Sequence, residues 1–142
     1  VLSQTVDYAL RAMLHLAGQG GVAASTDRIA GRTSVPAGYL AKIMRDLVVA
    51  GLVSSFRGPR GGFALAREAS AITLLDVVNA VEPIARIDRC PRREPCLGGL
   101  CALHRRIDEI AAHMEAAFAA TSLADLLASD AERSARDTRD AG

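Results

Sequence analysis

Residues 25–66 read STDRIAGRTSVPAGYLAKIMRDLVVAGLVSSFRGPRGGFALA, and the architecture of the chain turns on this stretch. Ser25 or Thr26 can cap a short helix running to about residue 32, with Ile29 and Ala30 pointing inward. A turn at residues 33–35 follows, and Pro36 suits the first position of the next helix. In that helix Leu40, Ile43, Met44 and Leu47 form a buried stripe, and Gly51 supplies the left-handed stop. Its outward face offers Ala37, Gly38, Tyr39, Ala41, Lys42 and Arg45: small residues first, then an aromatic hydroxyl and two cations. A helix entering a DNA major groove needs this order, because bulk would hold it off the bases while hydroxyl and cationic groups reach edges and phosphates. Residues 52–56 and 63–66 then read as two short strands around a glycine-rich tip carrying Arg57 and Arg60, a basic hairpin suited to a phosphate or a narrow minor groove. Tyr39, Lys42, Arg45, Arg57 and Arg60 are the expected DNA contacts.

Outward from this centre, the first helix is predicted over residues 3–17, its apolar stripe made by Val6, Leu10, Met13, Leu14 and Ala17. Asp7, Arg11 and His15 share its polar side, where an Asp7–Arg11 pair on a solvated face is the ordinary reading. Downstream, Thr73 and Asp76 form a capping box that opens a helix to Val81, with Leu74, Leu75, Val77 and Val78 as its apolar content and Pro83 ending it. Residues 84–99 turn irregular, and a loop of that length points to a function. The longest helical pattern, over about 100–120, spaces Leu103, Ile107, Ile110, Met114 and Phe118 along one side and flanks them with alanines. A helix so apolar, outside the small N-terminal core, is expected to pack on a partner subunit. Leu123, Leu126 and Leu127 extend a last short helix. Residues 129–142, charged and without large hydrophobes, are expected to be disordered.

Composition agrees with a mainly α fold. In 142 residues, half are hydrophobic but only 4% aromatic and none is Trp, so aliphatic helices are favoured over an aromatic-rich sheet sandwich. No run approaches the roughly 18 apolar residues of a membrane span, and the N-terminus shows no secretion signal, so a cytoplasmic protein without membrane contact is expected. The net charge of +1 conceals an asymmetry: residues 1–69 hold eight basic and four acidic side chains, residues 70–142 nine and twelve. That polarity suits a chain whose first half faces a polyanion. No nucleotide-binding glycine fingerprint, HExxH or nucleophile–base pair is present, so neither an enzyme nor a small-molecule substrate is expected.

All three cysteines fall in one short stretch: Cys90, Cys96 and Cys101 in the spacing C-x5-C-x4-C. An odd, clustered set argues for metal or redox chemistry over a disulfide framework. The gaps differ from those of a zinc knuckle, and no CxxC pair is present. Three thiolates so distributed can hold three irons of a cubane cluster, or three of the four ligand positions of a two-iron cluster, leaving one ligand to be found. The N-terminal end of the long helix at Cys101 would favour thiolates.

Taken together, residues 1–128 resemble the bacterial winged-helix iron-sulfur transcriptional regulators of the IscR/NsrR type. The resemblance is carried by DYALR at residues 7–11, YLAK at 39–42, RGPRGGF at 57–63, LLDVV at 74–78 and the three cysteines. It implies a homodimer with long helices crossing at the interface, a winged helix-turn-helix head over residues 1–82, a cluster-binding loop over 83–100, and dimerisation through 101–128. It further implies an iron-sulfur cluster that senses nitric oxide, redox state or iron and cluster supply, and that switches binding of a double-stranded DNA operator. The family's last cysteine gap is often five residues, whereas four separate Cys96 from Cys101 here. Asp7 matches the acidic residue that reaches from the opposite subunit to a 4Fe-4S cluster in one branch, and this is the favoured fourth ligand. His104 matches the histidine that completes a 2Fe-2S cluster in another branch. The alternatives are a cluster-free regulator responsive through thiols or zinc, and an electron-transfer protein.

Overall fold

The computed structural model describes residues 2–90 and 99–141, in the order α1 (Gln4–Ala17), α2 (Thr26–Thr33), α3 (Ala37–Val49), β1 (Val53–Phe56), β2 (Gly62–Leu65), α4 (Leu74–Val81), α5 (Ala102–Ala119) and α6 (Leu123–Asp140). It is a mainly α, winged helix-turn-helix architecture with one antiparallel hairpin, as the sequence predicts.

The head forms around α1, which packs against α2, α3, α4, α6 and the hairpin. Ser3 caps α1 and Ser25 caps α2, each hydroxyl accepting an amide of the first turn, from Val6 and Arg28 respectively. Pro36 precedes α3 as its cap residue and does not occupy its first turn. Leu40, Ile43, Met44 and Leu47 are buried as expected, and Gly51 adopts φ +74° just past the end of α3.

The stripe predicted for α1 is displaced. Tyr8, Ala9, Ala12 and Leu16 are buried beside Val6 and Met13, while Leu10, Leu14 and Ala17 lie at the margin. The reason is crowding: a helix enclosed on several sides puts its small residues where neighbours come closest, and alanine carries little weight in a hydropathy pattern.

The hairpin pairs Val53 with Leu65 and Phe56 with Gly62 across a two-stranded ladder. A third strand-like contact braces it, because Ala24 and Phe63 exchange amide–carbonyl hydrogen bonds of 2.9 and 2.8 Å. Gly62, at φ +140°, lies against the Ala24 carbonyl where a Cβ has no room. The wing base is thereby fixed to the residue that precedes the α2 cap.

After α5 the chain returns to the head. Leu74 N–H donates to the Thr121 carbonyl and Leu123 N–H to the Ile72 carbonyl, at 2.9 and 3.0 Å, and Leu123 is fully buried in the core. The Thr73–Asp76 capping box is present, and a second, Ser122–Asp125, opens α6.

Residues 129–140, expected to be disordered, continue α6 as a solvent-exposed helix, with a pair between Arg133 and Asp130 at 2.8 Å. Strong helix formers such as Ala, Arg and Glu, propagating from a capped and anchored first turn, account for the difference without any large hydrophobe.

Candidate metal centre and nucleic-acid interface

Every residue on the predicted outer face of α3 is exposed. Tyr39 stands 53% exposed, its ring edge-on to Tyr8 with centroids 5.6 Å apart at 62°. Tyr8 is itself held by Gln4, whose Nε2 donates to the phenol oxygen at 2.7 Å, and the Arg11 guanidinium lies 5.8 Å from its ring centroid.

Lys42 is paired, its Nζ 3.1 Å from Asp46 one turn on. Arg45, Arg57 and Arg60 carry no ion pair among the described residues, so three uncompensated cations accompany the paired one. Arg28, which the sequence reading passed over, borders the cleft between the start of α2 and the wing together with Arg60. The Ala24–Phe63 bridge holds the wing against the residue preceding the α2 cap, and no local pattern announces it.

The second cluster of functional residues gathers at the start of α5. Cys101 is the residue that caps the helix, and His104 sits in its first turn, so one helical start directs both side chains to the same side. The chain leaving α4 brings Cys90 to them. His104 Nδ1 lies 3.0 Å from Cys101 Sγ and 3.3 Å from Cys90 Sγ, and the two sulfurs are 3.8 Å apart, well beyond the ~2.05 Å of a disulfide. Cys90, Cys101 and His104 thus offer three ligand atoms within 4.8 Å of one another.

The Cys101 thiol is held below its ordinary value, first by the His104 backbone N–H facing the sulfur and then by the His104 ring. That amide faces the sulfur without completing a capping hydrogen bond. Burial and the nearby Cys90 sulfur act in the opposite sense. Two soft sulfurs and an imidazole suit zinc or an iron-sulfur centre and are a poor set for magnesium or calcium.

Cys96, the third expected ligand, lies outside the described residues. Asp7 stands apart from this group within the chain: its carboxylate pairs with Arg11 at 2.6 Å on α1. The sequence reading missed Arg86 and Asp108, which join at 2.7 Å beside the cysteine site.

Comparison with known proteins bears on the same residues. Residues 2–129 match the family model of Rrf2, described as an iron-dependent transcriptional regulator. The HTH-type transcriptional regulator IscR of Photorhabdus laumondii is 35% identical over 123 residues, covering 84% of this chain and 74% of that protein. The solved structure of T. potens IscR superposes with a TM-score of 0.77 at 29% identity, covering 94% of this chain and 90% of that one. CymR, the global cysteine regulator of B. subtilis, superposes with a TM-score of 0.72 at 30% identity over 89% of this chain and 95% of that one. The match runs from the first helix of the head through the start of α6, and the chain belongs to the Rrf2 family of DNA-binding transcriptional regulators.

Proposed function

We propose that this protein is a homodimeric, cytoplasmic regulator whose operator binding is switched by an iron-sulfur cluster held on Cys90, Cys96, Cys101 and His104. The observation that carries the reading is the convergence of the two described cysteines and His104 within 4.8 Å at the start of α5. His104 is preferred to Asp7 as the fourth ligand because its Nδ1 already faces both sulfurs, whereas Asp7 is engaged by Arg11. A site completed within one chain favours the two-iron form. Bound there, the cluster supplies a redox-active centre open to attack by oxidants or nitric oxide.

The chain's own residues connect that centre to DNA. Residues 1–82 form the head, 83–100 carry Cys90 and Cys96, and 101–128 present Cys101, His104 and the dimer face. Leu103, Ile107 and Ile110 on α5 are 63%, 43% and 51% exposed, an apolar row that a second α5 would cover. α5 packs on α4, and α4 packs on α3, so a shift of Cys101 relative to Cys90 has a packed route to the helix bearing Tyr39, Lys42 and Arg45. Two heads spaced by the α5 pair then meet half-sites a fixed distance apart on a near-palindromic operator.

A second reading has its own observation. The 3.8 Å separation of Cys90 and Cys101, with the similarity to a cysteine regulator, supports a cluster-free thiol switch. Anaerobic reconstitution with iron and sulfide decides between them. Visible absorption that is lost in each single Cys→Ser variant, with altered operator affinity, is expected. A colourless wild-type protein overturns the cluster reading. Within the cluster reading, His104→Ala changes the cluster spectrum and Asp7→Ala leaves it intact; the opposite pattern returns the role to Asp7 of the partner subunit and to a four-iron cluster.

A further inference from the structure

Residues 83–90 have no regular secondary structure, so side chains must determine where Cys90 stops against α5. Four residues before Cys90, Arg86 lays its guanidinium across Asp108, with Nε 2.7 Å from Oδ1 and Nη2 2.8 Å from Oδ2. Its remaining nitrogen, Nη1, reaches Glu115 Oε2 at 3.1 Å, seven residues further along the same face of α5. The Ile87 amide donates to Asp108 Oδ1 at 2.9 Å, so one carboxylate accepts three hydrogen bonds from two successive residues. Asp108 is itself one turn beyond His104. From this geometry we infer that Arg86 and Asp108 are positioning residues, a clamp that presets Cys90 against Cys101 and His104 before any metal arrives.

Isolated surface ion pairs contribute little, because holding two long side chains in one geometry consumes what the charges supply. This pair differs in kind. It is bidentate, it is reinforced by a backbone amide, and it engages a second carboxylate, so the guanidinium is fixed in position and in plane. The Asp108 carboxyl is accordingly held down to about 2, chiefly by Arg86 and then by the Ile87 amide, and Arg86 is shifted upward by the same contact.

Without the clamp, Cys90 would sit at the end of an untethered irregular segment and would have to be recruited each time by closing a loop, at an entropic cost. With it, that cost is met on folding, the condition for a preorganised ligand set. The clamp deepens the proposed metal-site reading and rests on it only for its purpose; the positioning itself can be measured with no metal present.

The test uses the full chain with Cys96→Ser, leaving Cys90 and Cys101 as its only thiols, equilibrated in glutathione buffers. Oxidised glutathione takes two electrons, the two cysteine sulfurs bond, their two protons pass to the leaving sulfurs, and two reduced glutathiones are released. The equilibrium constant reports the effective concentration of one thiol at the other. Arg86→Ala is expected to lower it at least tenfold with unchanged far-ultraviolet circular dichroism, and Arg86→Lys to fall between. The reversed pair, Arg86→Asp with Asp108→Arg, is expected to recover part of the loss. An unchanged constant in Arg86→Ala, or equal loss in the single and reversed-pair variants, overturns the clamp. In the three-cysteine protein, cobalt titrated as a probe is expected to bind at least tenfold more weakly after Arg86→Ala. Wild-type protein that takes neither cobalt nor a cluster, while the thiol equilibrium still responds to Arg86, defeats the metal reading and leaves the clamp standing.

Discussion

Lys42 on the outer face of α3 is neutralised by Asp46, 3.1 Å away and one turn further along the same helix. On the proposed DNA face a phosphate would compete with a carboxylate for this ammonium, whereas Arg45, Arg57 and Arg60 have no such competitor among the described residues. Asp46→Asn is expected to raise operator affinity about twofold, since an exposed i,i+4 pair is worth about 0.3–0.5 kcal/mol. Arg57→Ala or Arg60→Ala is expected to weaken it by about 1–3 kcal/mol where a base is contacted. Where only phosphate is touched, the loss is uniform across sequences and each lost contact reduces the salt slope by about 0.9. Binding isotherms at several salt concentrations check both, and unchanged affinity in a variant lacking all four cations removes the interface.

Tyr8 braces Tyr39 edge-on, an arrangement worth about 0.5–1.5 kcal/mol beyond simple burial. Tyr8→Leu is expected to lower the urea midpoint and to weaken operator binding, although Tyr8 itself is 9% exposed and turned inward. Tyr8→Phe keeps the ring and loses only the bond from Gln4, so operator affinity is expected to stay near wild type. Equal loss of affinity in the two variants would show that the ring brace is not what matters.

Leu123 and Ile110 are both large aliphatics following the cysteine site, with opposite surroundings. Leu123→Ala empties a fully buried position and is expected to cost about 2–5 kcal/mol of stability, read from denaturant unfolding. Ile110→Asp alters an exposed position and is expected to leave the head folded while sedimentation shifts from dimer toward monomer. A dimer that survives Asp at both Ile107 and Ile110 would move the interface elsewhere.

His15 has its Nε2 buried without a hydrogen-bond partner among the described residues, and its pKa is lowered from the ordinary 6.5, first by burial and then by Arg28 and Arg32. The unfolded chain therefore binds this proton more readily than the folded one, so stability is complete above about 6.5 and declines as pH falls below it. Unfolding free energies measured from pH 8 down to 5 are expected to show that decline, and His15→Gln to flatten it. An identical slope in the two proteins would assign the titration to another group.

Local signals were legible where one residue determines one feature. The Thr73–Asp76 box, the Leu40–Ile43–Met44–Leu47 stripe and the stop at Gly51 follow from capping, periodicity and backbone freedom over a few residues. Cys101 and His104 are three apart at a helix start, so their shared side follows from the helical period. The Arg86–Asp108 clamp was not legible, because 22 positions and an irregular segment separate partners that meet only when α5 lies beside residues 83–90. The bridge from Ala24 to Phe63 was hidden for the same reason. Along α1, the buried alanines were outweighed by the marginal leucines, and past residue 128 the absence of large hydrophobes masked a good helix-forming composition.

The return of the chain through Leu123 to Ile72 has a mechanical consequence. A helix joined to its head at one end would swing like a pendulum, and strain at its cysteine end would dissipate as wagging. Because Arg86, past the end of α4, grips Asp108 in the first half of α5, and Thr121 and Leu123 just beyond its end bond to Leu74 and Ile72 at the entrance to α4, α5 is a beam pinned at both supports. In the proposed switch, a displacement at Cys101 would therefore be carried into the head through α4 and would not be lost at a free end.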